Sequence, residues 1–546
     1  MSSWTQHFRS DMQAGLTVAL VGLPQCLAYA MIAGLPPAYG LSCAAVAGMI
    51  AIFVGKSPQI VTGPTNTTAL LVFGALTPFL ASNGLLDPKH LGILATLTLM
   101  AGVLRIVMVY VGGAKLLRFI PVSVLVGFTA GAGTLIAVMQ LDEALGMKSI
   151  VAAGLLSEFR GLWGAWSTGH FPALPAVFLT LFTIVSIALG KRFAPKIPVT
   201  LLVVVLAAVV AWAAGLDTKS GLALVMDRST LPNGWPPGAL PDLDLQTLQM
   251  LLFPALAITL IGTMELTISA YADGAKPEIK REILAQGWAN TLGAFLSSFP
   301  ASASLTRSVL LRMTGAKTRF SAFLGAIFTG VILLFFTSAV GYIPLASLAG
   351  VLIVTAAKMI DLSTIRRLIK ASKISRSLLL ITFLATLFLP LAWSILTGVG
   401  LGLLIQIAES SSPRIRTLKK CGNCLQPTDG SEKSLEVVII EVSGSLYYAA
   451  VPPFIEEVEQ RLPNTVSTVV IDLSHAHQLR YKAMIVLEAL HQKLADEQIV
   501  LRLSGVSQQF GAFLARAQSS LQYTLEEAEP GRSIINCLDA SPSQEK

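Results

Sequence analysis

The apolar residues of this chain come in long unbroken blocks, not in the stripes of a surface helix or the alternation of a half-buried strand. Met12–Met31, Leu91–Val111, Leu251–Tyr271 and Leu378–Leu396 are each long enough to cross a bilayer, and Gly, Pro and charged residues punctuate the intervals between such blocks. The stretch from Met12 to Ala408 holds about fourteen candidate spans, some of them short. The pattern predicts an α-helical membrane protein. A signal peptide competes for the first block, but the block runs to Met31 and others follow at once, so it reads as a retained first span.

After Glu409-Ser410-Ser411-Ser412-Pro413 polar and apolar residues mix, and no run reaches spanning length. The expected organisation is therefore a membrane domain over 1–410, a basic linker over 411–433 and a small α/β domain over 434–546. In that last part Val437–Val442, Val466–Leu473 and Ile499–Leu503 read as strands, and Pro453–Leu462, Ala483–Ala495 and Gln508–Ala517 as helices.

Composition agrees: hydrophobic residues make up 53% and charged ones only 13%, where a soluble protein carries roughly 25% charged residues. The formal charge of +8 invites a nucleic-acid reading. Lys and Arg, however, cluster at helix ends with no aromatic-interleaved basic stripe, which excludes a nucleic-acid partner and makes the charge a topology signal. An even number of spans puts both termini on one side. The short loops of that side carry Lys115, Arg118, Lys191, Arg192, Lys196, Lys276, Lys280, Arg281, Arg366, Arg367, Lys370 and Lys373, against Lys89, Lys148, Arg160, Lys219 and Arg228 opposite. Both termini are expected in the cytoplasm, with the spans in the inner membrane and lipid as their partner.

The five cysteines are too few and too poorly placed for a disulfide framework. Cys421-Gly422-Asn423-Cys424 is a lone CxxC without a second pair or a histidine, and His475 and His477 read as solvated loop residues. No nucleophile with its base and no metal-ligand set is present, so neither an enzyme nor a cofactor is expected.

Glu265 lies in the middle of an apolar block, where an ionised carboxylate costs about 3 kcal/mol, and Ser269 follows one helical turn on, the pairing a coupling-ion site needs. Arg307, after Thr306, sits in the short segment Ser304–Leu311, where a fixed cation adds to the positive end of a helix dipole and favours an anion; the plainer reading is a salt bridge to Glu265. Gly63-Pro64-Thr65-Asn66-Thr67-Thr68 supplies amides and hydroxyls at another short helix start. Paired interrupted helices in the two halves of a chain point to a transporter's midplane site. Gln25 and Tyr29, one turn apart in the first span, face such a cavity or bond to a neighbouring helix.

Leu23 to Leu41, reading LPQCLAYAMIAGLPPAYGL, resembles the opening signature of the sulfate permease family of anion transporters. The likeness continues in Val61–Thr68, in Lys280–Asn290 and in Phe299–Thr318 with its Gly315-Ala316-Lys317-Thr318. It implies a seven-plus-seven inverted repeat in which spans 1 to 4 and 8 to 11 move against spans 5 to 7 and 12 to 14. It also implies a small anion bound by Gln25, Tyr29, Thr65, Asn66, Thr306 and Arg307, with coupling to H+ or Na+ at Glu265 and Ser269. The C-terminal module resembles the regulatory domain shared by sulfate transporters and anti-sigma-factor antagonists, the STAS domain, with Val469–Ser474 as its central strand. Where antagonists carry a phosphorylatable serine this chain reads Arg480-Tyr481-Lys482-Ala483, which leaves homodimer packing or binding of a cytoplasmic partner. The expected function is proton-coupled anion symport. Sodium-coupled bicarbonate symport and an uncoupled anion channel or exchanger are the alternatives.

Overall fold

The computed structural model describes residues 2–525 and 534, apart from 82–83, 114–119, 148–154, 170, 194–197, 216–221, 229–233, 272–277, 411–413, 422–423, 429–435, 446–450, 463–464, 478 and 480. Lys115, Arg118, Lys148, Lys196, Lys219, Lys276 and Arg480, named above, lie outside the described residues. The chain divides into two compact units, 1–402 and 403–546.

Among the described residues, fourteen helices build the bundle, the last of them running on into the second unit, and the shorter helices Leu141–Leu145, Leu155–Ser167, Val225–Arg228 and Leu362–Ala371 accompany them. The first half contributes α1 (Ser2–Ile32), α2 (Ala38–Val54), α3 (Asn66–Leu76), α4 (Leu91–Tyr110), α5 (Val122–Met139), α6 (Leu174–Phe193) and α7 (Val199–Ala213). The second contributes α8 (Leu245–Tyr271), α9 (Ile279–Gly293), α10 (Leu305–Met313), α11 (Phe320–Gly341), α12 (Leu345–Met359), α13 (Lys373–Phe388) and α14 (Leu391–Ser410). Among the described residues, five helices are long and apolar enough to cross a membrane, and six shorter apolar ones accompany them. The apolar block Leu378–Leu396 is not one span: the chain leaves α13 at Leu389 and re-enters a helix after Pro390, which has no N–H to continue the ladder.

Helix packing repeats between the halves. α1 packs on α11 as α8 packs on α4, α2 on α11 as α9 on α4, α3 on α8 as α10 on α1, and α6 on α12 as α13 on α5. Seven elements per half make the second copy run opposite to the first, which is the inverted repeat that the resemblance implied. The same contacts sort the helices into a core group, α1–α4 with α8–α11, and a gate group, α5–α7 with α12 and α13, which α14 joins where Gly398 lies against Val124 and Thr382.

At the centre of the core group two strands of two residues cross, β1 (Thr62–Gly63) antiparallel to β2 (Ser302–Ala303). Each leads into a short helix, α3 capped by Thr65 and α10 capped by Ser304. With 11 and 9 residues these helices span about 16 and 14 Å, roughly half a hydrocarbon core. Their N-termini therefore meet in the interior of the unit.

The second unit holds a six-stranded sheet in the order β4-β3-β5-β6-β7-β8. Its strands are β3 (Arg414–Cys421), β4 (Cys424–Thr428), β5 (Val437–Ser445), β6 (Thr468–His477), β7 (Val500–Val506) and β8 (Tyr523–Leu525). The last four run parallel, linked through α15 (Val451–Gln460), α16 (Tyr481–Asp496) and α17 (Gln508–Arg516). Val442, Val469, Ile471, Leu473, Leu501 and Leu503 pack with Phe454, Leu487 and Phe510 in its main core, while Leu418, Ile439 and Val470 cluster separately. Arg414–Cys421 and Cys424–Thr428, expected as linker, instead pair antiparallel with each other, and the first of them pairs antiparallel with β5. Ile415 packs in the main core and Leu418 in the separate cluster, so both faces of β3 are covered and no simple alternation marks it in the sequence. The CxxC cysteines are register partners at the ends of β3 and β4. His475 and His477 are exposed, but they belong to β6 and not to a loop.

Candidate functional site

The site is built where β1 and β2 break the two half-helices. Thr65 sets the start of α3: extended backbone at the cap lets its hydroxyl accept from Thr68 N at 3.4 Å. The same hydroxyl donates to Glu265 Oε2 at 2.9 Å. Thr67 and Ser302 lie near the same carboxylate, while their hydroxyls donate to Asn66 Oδ1 at 3.3 Å and to Gly262 O at 2.9 Å. Asn66, half-buried at the first position of α3, turns its Oδ1 back onto Thr67 N at 2.9 Å.

Arg307 enters from the opposite helix start and is buried, at 4% exposure. Nη2 donates to Pro64 O at 2.8 Å and Nη1 to Cys26 Sγ at 3.4 Å, while Nε has no partner. No ion pair joins Arg307 to Glu265, so the salt bridge weighed for them is not formed. Space for the guanidinium comes from glycine: a Cβ on Gly63 would lie 3.0 Å from both Nη atoms, and one on Gly22 3.1 Å from Cδ. Tyr29, buried on α1, lies within electrostatic range of both Arg307 and Glu265. Gln25 Oε1, one turn earlier, is buried without a partner.

Two expected residues sit differently. Ser269 shares the face of Glu265, yet it donates at 3.5 Å to Ala303 O of β2 and not to the carboxylate. Thr306 is exposed on the first turn of α10, while its neighbour Arg307 points inward.

Sequence reasoning missed Arg105. It is the lone charge inside the Leu91–Tyr110 helix, fully buried, and donates through Nη1 to Ala301 O at 2.7 Å and Gln286 Oε1 at 3.2 Å. Its Nε and Nη2 have no partner. The signal that picked out Glu265, one charge in an apolar block, applied equally to Arg105. The motif Lys280–Asn290 supplies the supports: Asn290 clamps Ala301 through both its N–H, at 2.7 Å, and its carbonyl, at 3.1 Å, and Gln286 reaches Thr62 Oγ1 at 3.4 Å. Asp11 of α1 likewise accepts from Lys317 N at 2.8 Å and Thr318 N at 3.2 Å.

A membrane-embedded inverted repeat whose broken helices converge on a buried cation is the architecture of a transporter. The family described as the sulfate permease family matches residues 8–382, and the STAS domain matches residues 431–524. The chain belongs to the sulfate permease family of anion transporters. It is 27% identical over 541 residues to the chloroplastic sulfate transporter 4.1 of Arabidopsis thaliana, covering 94% of this chain and 77% of the relative. Solute carrier family 26 member 6 of Homo sapiens is 25% identical over 518 residues, 89% of this chain and 67% of the relative. In fold the chain is similar to the murine solute carrier 26 family member A9 anion transporter, with a TM-score of 0.85 at 18% identity, covering 98% of this chain and 93% of the other. The transmembrane domain of a cyanobacterium bicarbonate transporter gives 0.62 at 22% identity, over 72% and 98%.

Proposed function

We propose that this protein moves a small anion, sulfate, bicarbonate or a dicarboxylate, across the inner membrane by proton-coupled symport. The core group slides against the gate group in an elevator-type alternating-access cycle. Arg307 carries the reading: a buried guanidinium with no carboxylate partner, at the start of one broken helix and bonded to Pro64 beside the start of the other, lacks the countercharge that a bound anion supplies. Thr65, Asn66 and Thr306 stand at the two helix starts, with Gln25 and Tyr29 beside them on α1. Glu265, held by Thr65, is the coupling group. Protonation removes its negative charge as the anion binds, so anion and proton enter together. Both termini lie in the cytoplasm, and the STAS domain serves homodimer packing or a cytoplasmic partner.

The hydroxyl oxygens around Glu265 suit a sodium ion as well as a proton, so sodium-coupled bicarbonate symport is the second reading. Radiolabelled sulfate uptake into proteoliposomes separates the two. With an inward proton gradient and no sodium, sulfate should accumulate, a protonophore should abolish the accumulation, and bicarbonate, fumarate and chloride should rank as competitors. Glu265→Gln should lose gradient-driven accumulation and keep sulfate exchange. Full gradient-driven uptake by that variant would remove the coupling role from Glu265, and uptake that needs sodium would transfer the coupling to that ion.

A further inference from the structure

In the middle turns of the core group's helices the described residues hold Arg105 on α4 and Glu265 on α8, and Arg307 stands at the start of the half-helix α10. Asp11 and Glu282 are buried as well, each accepting from two backbone N–H groups, those of Lys317 and Thr318 and those of Lys56 and Ser57. Arg105 is the one without a role so far. It is fully buried, anchored through a single nitrogen to Ala301 and Gln286, with Nε and Nη2 unpartnered. Its guanidinium lies against the bare face of Gly262, where a Cβ would come within 1.9 Å of Nη2. Gly262 is one turn from Glu265, and Arg105 and Glu265 interact electrostatically. The other groups around Glu265 are uncharged hydroxyls, Thr65 and Thr67 of α3, Ser302 of β2 and Tyr29 of α1. The titratable residues of α9, Lys280, Arg281 and Glu282, sit in its first turn.

We infer that Arg105 sets the valence of the cargo. Together with Arg307 it sets two fixed positive charges around the broken-helix site against the titratable negative charge of Glu265. A net charge carried through the hydrocarbon region is expensive, so the loaded core crosses easily only when the sum is zero. That sum is reached by a dianion with one proton on Glu265, or by a monoanion with Glu265 ionised. Without Arg105 the same balance would be met by a monoanion plus a proton. The inference rests on the proposed function, in which Arg307 meets the anion and Glu265 titrates. It narrows the proposed proton coupling to dianions, sulfate and dicarboxylates, which travel with one proton; a monoanion such as bicarbonate needs none, and only the return of the empty core, at net charge +1, feels the membrane potential.

The test uses the full chain in proteoliposomes with the potential clamped by potassium and valinomycin. Sulfate-for-sulfate exchange at equal pH should be unaffected by potential, and nitrate exchange should be unaffected by a pH gradient. Arg105→Gln should lower the ratio of sulfate to nitrate transport at least tenfold and make its residual sulfate exchange voltage-dependent. Arg105→Lys should restore the wild-type ratio. An unchanged ratio in Arg105→Gln would overturn the inference. So would voltage-dependent sulfate exchange in the wild type, or transport of nitrate without sulfate, and these need no variant to fold. A wild type that moves no anion would overturn the proposed function, and this inference with it. Anion transport with voltage-sensitive exchange removes the valence role alone.

Discussion

Thr65 and Glu265 are joined by a 2.9 Å hydrogen bond that ties the broken helix of the first half to an unbroken helix of the second. The threonine hydroxyl serves two partners, because it also accepts from Thr68 N to cap α3. A bond to a carboxylate contributes about 1.5–3 kcal/mol and a threonine cap about 1 kcal/mol. Thr65→Val keeps the shape and loses both. Its initial rate of gradient-driven sulfate uptake should fall about tenfold or more, following the loss of the stronger bond, and Thr65→Ser should recover most of it. Equal rates for valine and threonine would mean that the hydroxyl takes no part in coupling.

The pocket of Arg307 gives a way to disturb the cation without removing it. A methyl group on Gly63 would sit 3.0 Å from both Nη atoms, closer than the guanidinium can tolerate. Gly63→Ala should therefore weaken anion binding, raising the KM for sulfate about tenfold, the factor that about 1.4 kcal/mol of misplacement yields. Arg307→Gln should raise it further and Arg307→Lys should not rescue it, because a lysine cannot reach both Pro64 and Cys26 with a fixed fork. Uptake kinetics across sulfate concentrations check this directly.

These two positions also show how much could be read from the chain itself. Glu265, Arg307 and the polar start of α3 stood out because charge and small polar residues are rare inside apolar blocks. Arg105 carried the same signal but lacked a nearby polar companion in sequence; its partners, Gln286 on α9 and Ala301 just before β2, lie far along the chain. Pairing of Ser269 with Glu265 was expected from helical spacing alone, and spacing cannot show that a crossing strand takes up the serine hydroxyl. The paired strands β3 and β4 read as linker because β3 is rich in lysine and arginine and buries Ile415 on one face and Leu418 on the other, which leaves no alternation to see. Much of the sequence signature also proves to be scaffolding: a Cβ on Gly40 would fall 1.8 Å from Cys26 O, so the LPPAYGL stretch brings α2 hard against α1.

Asn290 is such a support. It is fully buried and makes paired hydrogen bonds to Ala301, the residue that also accepts from Arg105. Asn290→Ala leaves a buried N–H and weakens the anchoring of a buried carbonyl, at about 1–3 kcal/mol. The purified transporter should melt several degrees lower, and its sulfate KM should rise because β2 positions the start of α10. Asn290→Asp retains the acceptor for Ala301 N and loses the donor, so its melting point should fall between the two.

The soluble unit offers a test independent of transport. Gly505 near the end of β7 has φ +67, and a Cβ there would lie 2.0 Å from Ser474 Oγ and 2.6 Å from Asp472 Oδ1. Asp472 is largely buried in the middle of β6, where burial pushes its carboxyl up, and the bonds from Ser474 N at 3.2 Å and Ser474 Oγ at 2.6 Å hold it down in part. An alanine at 505 meets a left-handed backbone that costs about 1 kcal/mol, and it also displaces the serine that satisfies a buried acid, costing about 1–3 kcal/mol more. Gly505→Ala should thus destabilise the domain by roughly 2–4 kcal/mol. Its strands should become open to proteolysis in the full-length protein at temperatures where the wild type resists. Ser474→Ala removes only the hydroxyl bond, keeps the one from the backbone N–H, and should cost less than half as much. Equal resistance of Gly505→Ala and wild type would show that the turn after β7 relaxes without loss of the Asp472–Ser474 contact.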